Sequence, residues 1–342
     1  MNLDLLKTLS ETPGVPGREE RVRDVLRAAA DKLFDDLVVD PMGSLICTRK
    51  ARGLKSAPRV LLACHMDEIG FYVRHVDDKG WVRVANYGGF DTRNLLARRV
   101  RVQARDGDLI GLMNPGGRPL HIAKDEDKKK VPEVGDFVID LCLPPDEVKA
   151  KVRVGDPVTL VQDFLEIGQC VTGKCLDNRV AGFIAIEAMR KVKKPKYEVV
   201  VAFTVQEEVG LRGAGPAAYA VEPDIAISID TTLCVDTPGV PEDERVTRHG
   251  AGVALKIADS SVISDRSLVD ELEAVAIKRK IPYQLALLPR GGNDAGAIQR
   301  VRRGYRVMTM AIPTRYIHTV TESVNKRDLQ AAIDLLAAWL EA

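Results

Sequence analysis

The sequence lacks several features that mark common classes of protein. No apolar run approaches the ~18 residues of a membrane-spanning helix, and the first residues do not have the basic, apolar and small-residue order of a secretion signal. The 50 lysines and arginines nearly balance the 49 aspartates and glutamates, so no overall charge favours nucleic acid or an anionic membrane. We therefore expect a cytoplasmic protein that binds neither nucleic acid nor membrane.

Other absences narrow the chemistry. The six cysteines are scattered without a CxxC pair, which favours free, mostly buried thiols over a disulfide framework. The chain has no GxSxG nucleophile elbow, no Walker loop and no glycine-rich dinucleotide loop in the right setting. Aromatic residues make up only 5% of the chain, which leaves little surface for stacking against sugars.

The pattern of the chain changes twice along its 342 residues, which are enough for two domains. Helices and strands alternate first, but residues 71–165 consist of short alternating segments with Gly, Asp and Asn turns, typical of a small β-barrel or sandwich. The last of these segments, 156–167, is predicted to be one strand. Helix–strand alternation then returns. We expect an α/β domain of residues 1–67 and 166–342 that carries a β insert of residues 68–165.

Acidic and imidazole side chains follow the ends of apolar runs at five places. A polar group at the carboxyl end of a buried strand lies where an open α/β sheet binds its ligands. These groups are His65, Asp177, the adjacent pair Glu207 and Glu208, Asp230, and His318. Five such groups from distant stretches are hard to explain as caps and turns alone, and they indicate a hydrolase site with two metal ions.

Each group has a simpler explanation when it is taken alone. Asp177 precedes a predicted helix and could be its N-cap, and an isolated pair such as His65 and Asp67 is more often structural. The two adjacent glutamates are more informative, because carboxylates after an apolar strand repel each other unless a cation or proton relieves them. Consecutive strand residues point to opposite sides, so one glutamate could bind metal while the other serves as general base.

The stretches around these groups resemble metallopeptidase family 42, the di-metal aminopeptidases of the tetrahedral type. The matching stretches, over residues 64–324 and in the family's order, are ACHMDEIGF, CLDNRVAG, TVQEEVGLRGA, ISID, PRGGNDAGAI and IPTRYIHTVTESV. The resemblance implies a three-layer αβα catalytic domain with an inserted β-barrel or PDZ-like domain. In the family this insert drives dimerisation and assembly into a hollow tetrahedral dodecamer, which would admit short peptides.

The resemblance also implies a metal site. His65 and Asp230 would bind one divalent ion, Glu208 and His318 the other, and Asp177 would bridge the two. Zn²⁺ is the expected ion, with Co²⁺ or Mn²⁺ as alternatives, because nitrogen and oxygen donors without thiolate suit all three.

Further roles follow from the same resemblance. Glu207 would be the general acid and base, and Asp67 the carboxylate behind the first imidazole. The chain departs from the family's usual pattern at Asn178, where Asp is common, and at Asn293, where Thr is common. These departures affect the surroundings of the site and the shape of the substrate pocket.

We expect a metal-dependent aminopeptidase that removes N-terminal residues from short peptides with a free N-terminus. Two alternatives remain. Members of the family have been labelled endoglucanases, but adjacent glutamates fit the paired carboxylates of a glycoside hydrolase poorly. A non-catalytic oligomeric peptide-binding protein would lack a ligand or the base, and none is missing.

Overall fold

The computed structural model describes residues 1–51, 53 and 56–342, and these residues form a large mixed sheet with helices and a separate closed barrel. The helices are α1 (Leu3–Glu11), α2 (Glu20–Ala30), α3 (Asp125–Lys128), α4 (Pro145–Lys151), α5 (Leu176–Lys191), α6 (Ala214–Val221), α7 (Arg266–Arg279), α8 (Asp294–Ile298) and α9 (Lys326–Leu340). None of the helices in these described ranges is long and apolar enough to cross a lipid bilayer.

Eleven strands of the described chain form the large sheet. They are β1 (Asp36–Val39), β2 (Leu45–Arg49), β3 (Arg59–His65), β10 (Leu165–Ile167), β11 (Cys170–Gly173), β12 (Glu198–Thr204), β13 (Ile225–Leu233), β14 (Val253–Ala258), β15 (Tyr283–Leu287), β16 (Arg306–Arg315) and β17 (Glu322–Asn325). The main order is β1-β2-β12-β3-β13-β16-β17-β11-β10, and β14 joins β15 to β16. Strands β12, β3, β13 and β16 are parallel, so their carboxyl ends meet at one edge of the sheet.

The central strands β12, β3, β13 and β16 are buried on both faces, because helices cover both sides of the sheet there. In β3, Leu62 and Cys64 pack in the core formed with α1, α2, α5, α7 and α9. Leu61 and Ala63 pack on the other side with α6 and α8. The predicted three-layer αβα arrangement is confirmed, and it places the carboxyl ends of four parallel strands where such sheets bind ligands.

The remaining six strands close into a barrel with its own core. They are β4 (Gly70–Val76), β5 (Val82–Tyr87), β6 (Arg98–Ala104), β7 (Gly107–Pro115), β8 (Phe137–Asp140) and β9 (Pro157–Leu160). Phe71 and Ile139 are fully buried in this core, and Val320, from the loop after β16, packs against them in the same cluster. Arg21 of α2 donates two hydrogen bonds to Asp108 of the barrel, at 2.7 and 2.8 Å. The predicted β-barrel is confirmed.

The segment 156–167 is not the single strand predicted for it. Pro157–Leu160 belongs to the barrel, whereas Leu165–Ile167 pairs with β11 at the edge of the large sheet. The chain leaves the barrel because Phe164 packs in the core of the large sheet and its backbone N–H donates to the Glu11 carboxylate at 3.0 Å.

Candidate active site

The parallel strands bring the predicted site residues to one edge of the sheet. They lie at or near the carboxyl ends of β3, β12, β13 and β16, or at the start of α5. His65 ends β3, Glu207 and Glu208 follow β12, Asp230 lies in β13, His318 follows β16, and Asp177 is the second residue of α5. Residues from five distant segments are thus neighbours because the sheet places them there.

Asp177 lies between the two imidazoles. Its Oδ1 is 3.4 Å from His65 Nε2, and its Oδ2 is 3.6 Å from His318 Nε2. His65 Nε2 is also 3.8 Å from Asp230 Oδ1, and His318 Nε2 is 3.3 Å from Glu208 Oε2. The two oxygens of Asp177 therefore face different imidazoles. Each of these imidazoles also lies near one further carboxylate, Asp230 for His65 and Glu208 for His318.

Simple helix capping does not explain Asp177. The N-cap of α5 is Cys175, whose own side chain makes no capping hydrogen bond. The Asp177 Oδ1 atom is buried and has no hydrogen-bond partner in the described part of the chain. A buried carboxylate oxygen without a partner is costly, and a cation at this position would relieve the cost.

The two adjacent glutamates do not lie on a strand, so strand alternation is the wrong basis for predicting their orientations. Strand β12 ends before them, and Gln206 has a φ of +58°, which turns the chain. Asp67 holds the turn instead: its Oδ1 accepts from the backbone N–H of Glu207 and its Oδ2 from that of Glu208, both at 3.0 Å. The Nδ1 of His65 lies 3.2 Å from the backbone carbonyl oxygen of Asp67 and 3.5 Å from its Oδ1.

Within the described residues, two groups of donors are close enough to hold a metal ion. The ligand atoms of His65, Glu207 and Asp230 lie within 4.8 Å of one another, as do those of His65, Asp177 and Glu208. All of these atoms are imidazole nitrogens or carboxylate oxygens, a set that suits Zn²⁺, Co²⁺ or Mn²⁺. The residues present therefore fit a divalent metal.

The pKa values of the clustered side chains also indicate a site for a cation. The pKa of Asp230 is raised to about 8, mainly by burial, and burial also raises the pKa of Glu207 well above its usual range. Burial alone would lower the pKa of His318, but the Glu208 and Asp177 carboxylates outweigh it and raise this pKa to about 10. Carboxylates that resist ionisation and imidazoles that retain protons show that the cluster favours added positive charge.

Two buried carboxylates of the site do not follow apolar strands, and the sequence pattern misses both. Glu322 is 2% exposed, and its two oxygens accept hydrogen bonds from the backbone N–H groups of Asp177 and His318 at 2.9 and 2.8 Å. Asp294, also 2% exposed, accepts from the Thr204 hydroxyl at 2.5 Å. Glu322 lies four residues after His318 in TVTES, and Asp294 lies in GGND at the start of a helix; these positions are the signal that could have found them.

The two departures from the usual family pattern have structural roles. Asn293 is the N-cap of α8, and its Oδ1 accepts from the backbone N–H of Ala295 at 3.0 Å. Asn178 donates from Nδ2 to the carbonyl of Ile229 at 2.9 Å, which joins α5 to β13 beside the cluster.

A three-layer αβα fold with imidazoles and carboxylates gathered at the carboxyl ends of its strands defines the class of metal-dependent hydrolases. The M42 glutamyl aminopeptidase family matches residues 43–335, and the chain belongs to this family. It is therefore a metallo-aminopeptidase, and its family implies that it binds divalent metal.

Individual relatives agree with this assignment. An aminopeptidase of known structure from the archaeon Desulfurococcus kamchatkensis is 36% identical, with a TM-score of 0.93 and 99% of this chain and 94% of that chain covered. Lysyl aminopeptidase of Pyrococcus furiosus is 31% identical, covering 99% of this chain and 96% of the relative. The Pyrococcus horikoshii TET1 peptidase is 30% identical, with a TM-score of 0.88 and 98% of both chains covered, and it can assemble into a tetrahedron or a large octahedral shell.

Proposed function

We propose that the chain is a two-metal aminopeptidase in which Asp177 bridges the metal ions. His65 and Asp230 would hold one ion, and Glu208 and His318 the other. The observation that supports this assignment most directly is the placement of one Asp177 oxygen 3.4 Å from His65 Nε2 and of the other 3.6 Å from His318 Nε2.

The proposed chemistry combines the metal ions with one carboxylate base. Two divalent ions, Zn²⁺ by expectation and Co²⁺ or Mn²⁺ as alternatives, would polarise the substrate carbonyl and lower the pKa of water. Glu207 takes a proton from the attacking water and delivers it to the leaving amine. Burial raises the pKa of Glu207 well above its usual range, which suits a group that must keep a proton between these two steps.

Asp67 has a supporting role in this proposal. Its carboxylate holds the backbone of both glutamates and stands 3.5 Å from the Nδ1 of His65, the ring nitrogen opposite the cluster. A carboxylate behind a metal-binding imidazole fixes the ring and raises its basicity.

Short peptides with a free N-terminus are the proposed substrates, and a homo-oligomer the proposed active form. The lysyl aminopeptidase of Pyrococcus furiosus supports the first, and the tetrahedral TET1 assembly supports the second. We propose residues 68–165 as the dimerisation domain and a tetrahedral dodecamer as the assembly. The barrel exposes Trp81, Ile110 and Leu112, at 38%, 52% and 45%, as apolar surface that a neighbouring subunit could cover.

Matched peptides test this function. The purified protein should release the first residue of a short peptide with a free N-terminus but not of the same peptide acetylated there. Chelator should abolish the release, and Zn²⁺, Co²⁺ or Mn²⁺ should restore it. Activity that is indifferent to chelator would contradict the proposal. Hydrolysis of carboxymethylcellulose without peptide cleavage would support a glycoside hydrolase, and peptide binding without turnover would support a non-catalytic role.

A further inference from the structure

A cysteine and a histidine form a pair near one end of the large sheet, on and beside its second-to-last strand. Cys170 begins β11, and its Sγ lies 3.7 Å from Nδ1 of His249, with both side chains partly buried. The other ring nitrogen of His249, Nε2, lies 2.8 Å from the carbonyl oxygen of Ser323. A carbonyl can only accept, so Nε2 carries the proton, and the Nδ1 of the neutral ring offers its lone pair to the thiol.

Burial and the positive charge of Arg315 favour the neutral form of the His249 ring. Asp236 accepts from the backbone N–H of His249 at 3.0 Å, but its carboxylate is already held by Arg315 through two hydrogen bonds of 2.7 and 2.8 Å. Burial lowers the pKa of His249, the positive charge of Arg315 adds to this effect, and together they outweigh the Ser323 carbonyl and the Asp236 carboxylate, which raise it. The imidazole is therefore available at neutral pH as a base for the neighbouring thiol.

The other cysteines provide a contrast within the same chain. Four are buried, namely Cys47, Cys64, Cys175 and Cys234. Cys142 is exposed and lies in a turn where its backbone N–H donates to Asp140 at 2.7 Å. Cys170 is distinguished by combining partial exposure with an imidazole that faces its sulfur.

We propose that Cys170 is a site of reversible modification by small disulfides, with His249 as its base. The thiol gives its proton to Nδ1, and the sulfur attacks one sulfur of the disulfide. A new S–S bond joins Cys170 to that half, while the other half leaves as a thiolate and takes the proton from the imidazolium. The two electrons of the broken S–S bond leave with this thiolate, so one disulfide is exchanged for another.

Alkylation rates test the pair in the intact protein. Native protein is treated with iodoacetamide at neutral pH, and modification of Cys170 and Cys142 is followed by peptide mass spectrometry. We expect Cys170 to react at least about tenfold faster, because general-base assistance contributes that much or more. Within a single chain, solvent access alone predicts the reverse order, since Cys142 is the more exposed thiol. If subunit assembly covers Cys142, the His249→Gln variant separates shielding of Cys142 from activation of Cys170. Equal or slower reaction at Cys170 would overturn the proposal without any variant.

A substitution at the base separates activation from packing. His249→Gln keeps an amide N–H that can donate to Ser323 but removes the base that faces Cys170. Alkylation of Cys170 should fall at least about tenfold in this variant, while Cys142 should keep its rate. With oxidised glutathione as the probe, wild-type protein should gain one mixed disulfide at Cys170 that a reductant removes. An unchanged Cys170 rate in His249→Gln, or no adduct at Cys170, would refute the assignment.

Discussion

The Oε2 atom of Glu322 lies 2.9 Å from the backbone nitrogen of Asp177 and accepts a hydrogen bond from it. The Oε1 atom of the same carboxylate accepts from the backbone of His318 at 2.8 Å. The carboxylate of Asp67 likewise accepts hydrogen bonds from the backbone N–H groups of the adjacent Glu207 and Glu208. Two buried carboxylates, neither of them a proposed metal ligand, therefore fix the backbone at four site residues.

Replacing Glu322 should weaken metal binding without removing any proposed ligand. In Glu322→Gln one oxygen becomes an NH₂ group, which cannot accept, so either Asp177 or His318 loses its backbone partner. We expect metal affinity to fall about 10- to 100-fold, as measured by competition with a chromophoric chelator. Glu166→Gln is the control, because Glu166 is exposed and its carboxylate binds Lys326 at 3.0 Å. Wild-type affinity in Glu322→Gln would contradict this role.

Replacing Glu207 and replacing Glu208 by glutamine should have different effects on catalysis and on metal binding. Glu207→Gln should lower kcat at least about 100-fold and keep its metal, because only the proton carrier is lost. Glu208→Gln should lose metal, because the carboxylate 3.3 Å from His318 Nε2 is a proposed ligand. Peptide hydrolysis and metal content are measured on both variants. Comparable metal loss in Glu207→Gln would make Glu207 a ligand, which its 3.9 Å distance from His65 Nε2 would allow.

A methyl group at Gly213 should disturb the loop that carries the glutamates. A Cβ at Gly213 would lie 2.5 Å from the carbonyl oxygen of Val205 and 2.8 Å from its nitrogen, so backbone must move. We expect Gly213→Ala to lower the free energy of unfolding by about 1–3 kcal/mol. Gly215→Ala in α6, which begins directly after Gly213, is the control, since its Cβ would meet only Val301 at 3.9 Å. Thermal unfolding of both variants compares their stabilities. If the two variants were equally stable, the backbone near Val205 would move to accept the added methyl group without cost.

Removing the metal should make stability fall as pH rises. In the folded protein without metal, burial is the main cause that raises the pKa of Asp230 from 3.8 to about 8. His318 rises from 6.5 to about 10, because its carboxylate neighbours outweigh burial. Both groups hold a proton more tightly when folded, so stability is lost as pH rises through about 4–8 for Asp230 and about 6.5–10 for His318.

Melting temperatures measure this effect. The Tm of chelator-treated protein should decrease between about pH 6 and pH 9. Metal-loaded protein should change less over this range, because the ions replace the protons. Asp230→Asn, also metal-free, should show a shallower decrease. A flat profile for the metal-free wild type would mean that other groups already neutralise the cluster.

The sequence predicts what depends on local pattern and misses what depends on distant packing. His65 and Asp230 are found because each is a polar residue at the end of a buried apolar run. Glu322 is missed because its neighbours are polar and its partners lie 145 and 4 residues away along the chain. The division of 156–167 into two strands is missed because Phe164 packs in the core of the large sheet. The residues next to Phe164 in the sequence give no sign of this contact.

The loop after β16 joins the two bodies of the molecule through one short stretch. Val320 is buried in the barrel core, while His318, only two positions earlier, faces Asp177 and Glu208 across the cluster. A small rotation of the barrel would therefore move an imidazole of the candidate site. A neighbouring subunit that immobilised the barrel would restrict this imidazole without touching it, so the quaternary state would set the rigidity of the active site.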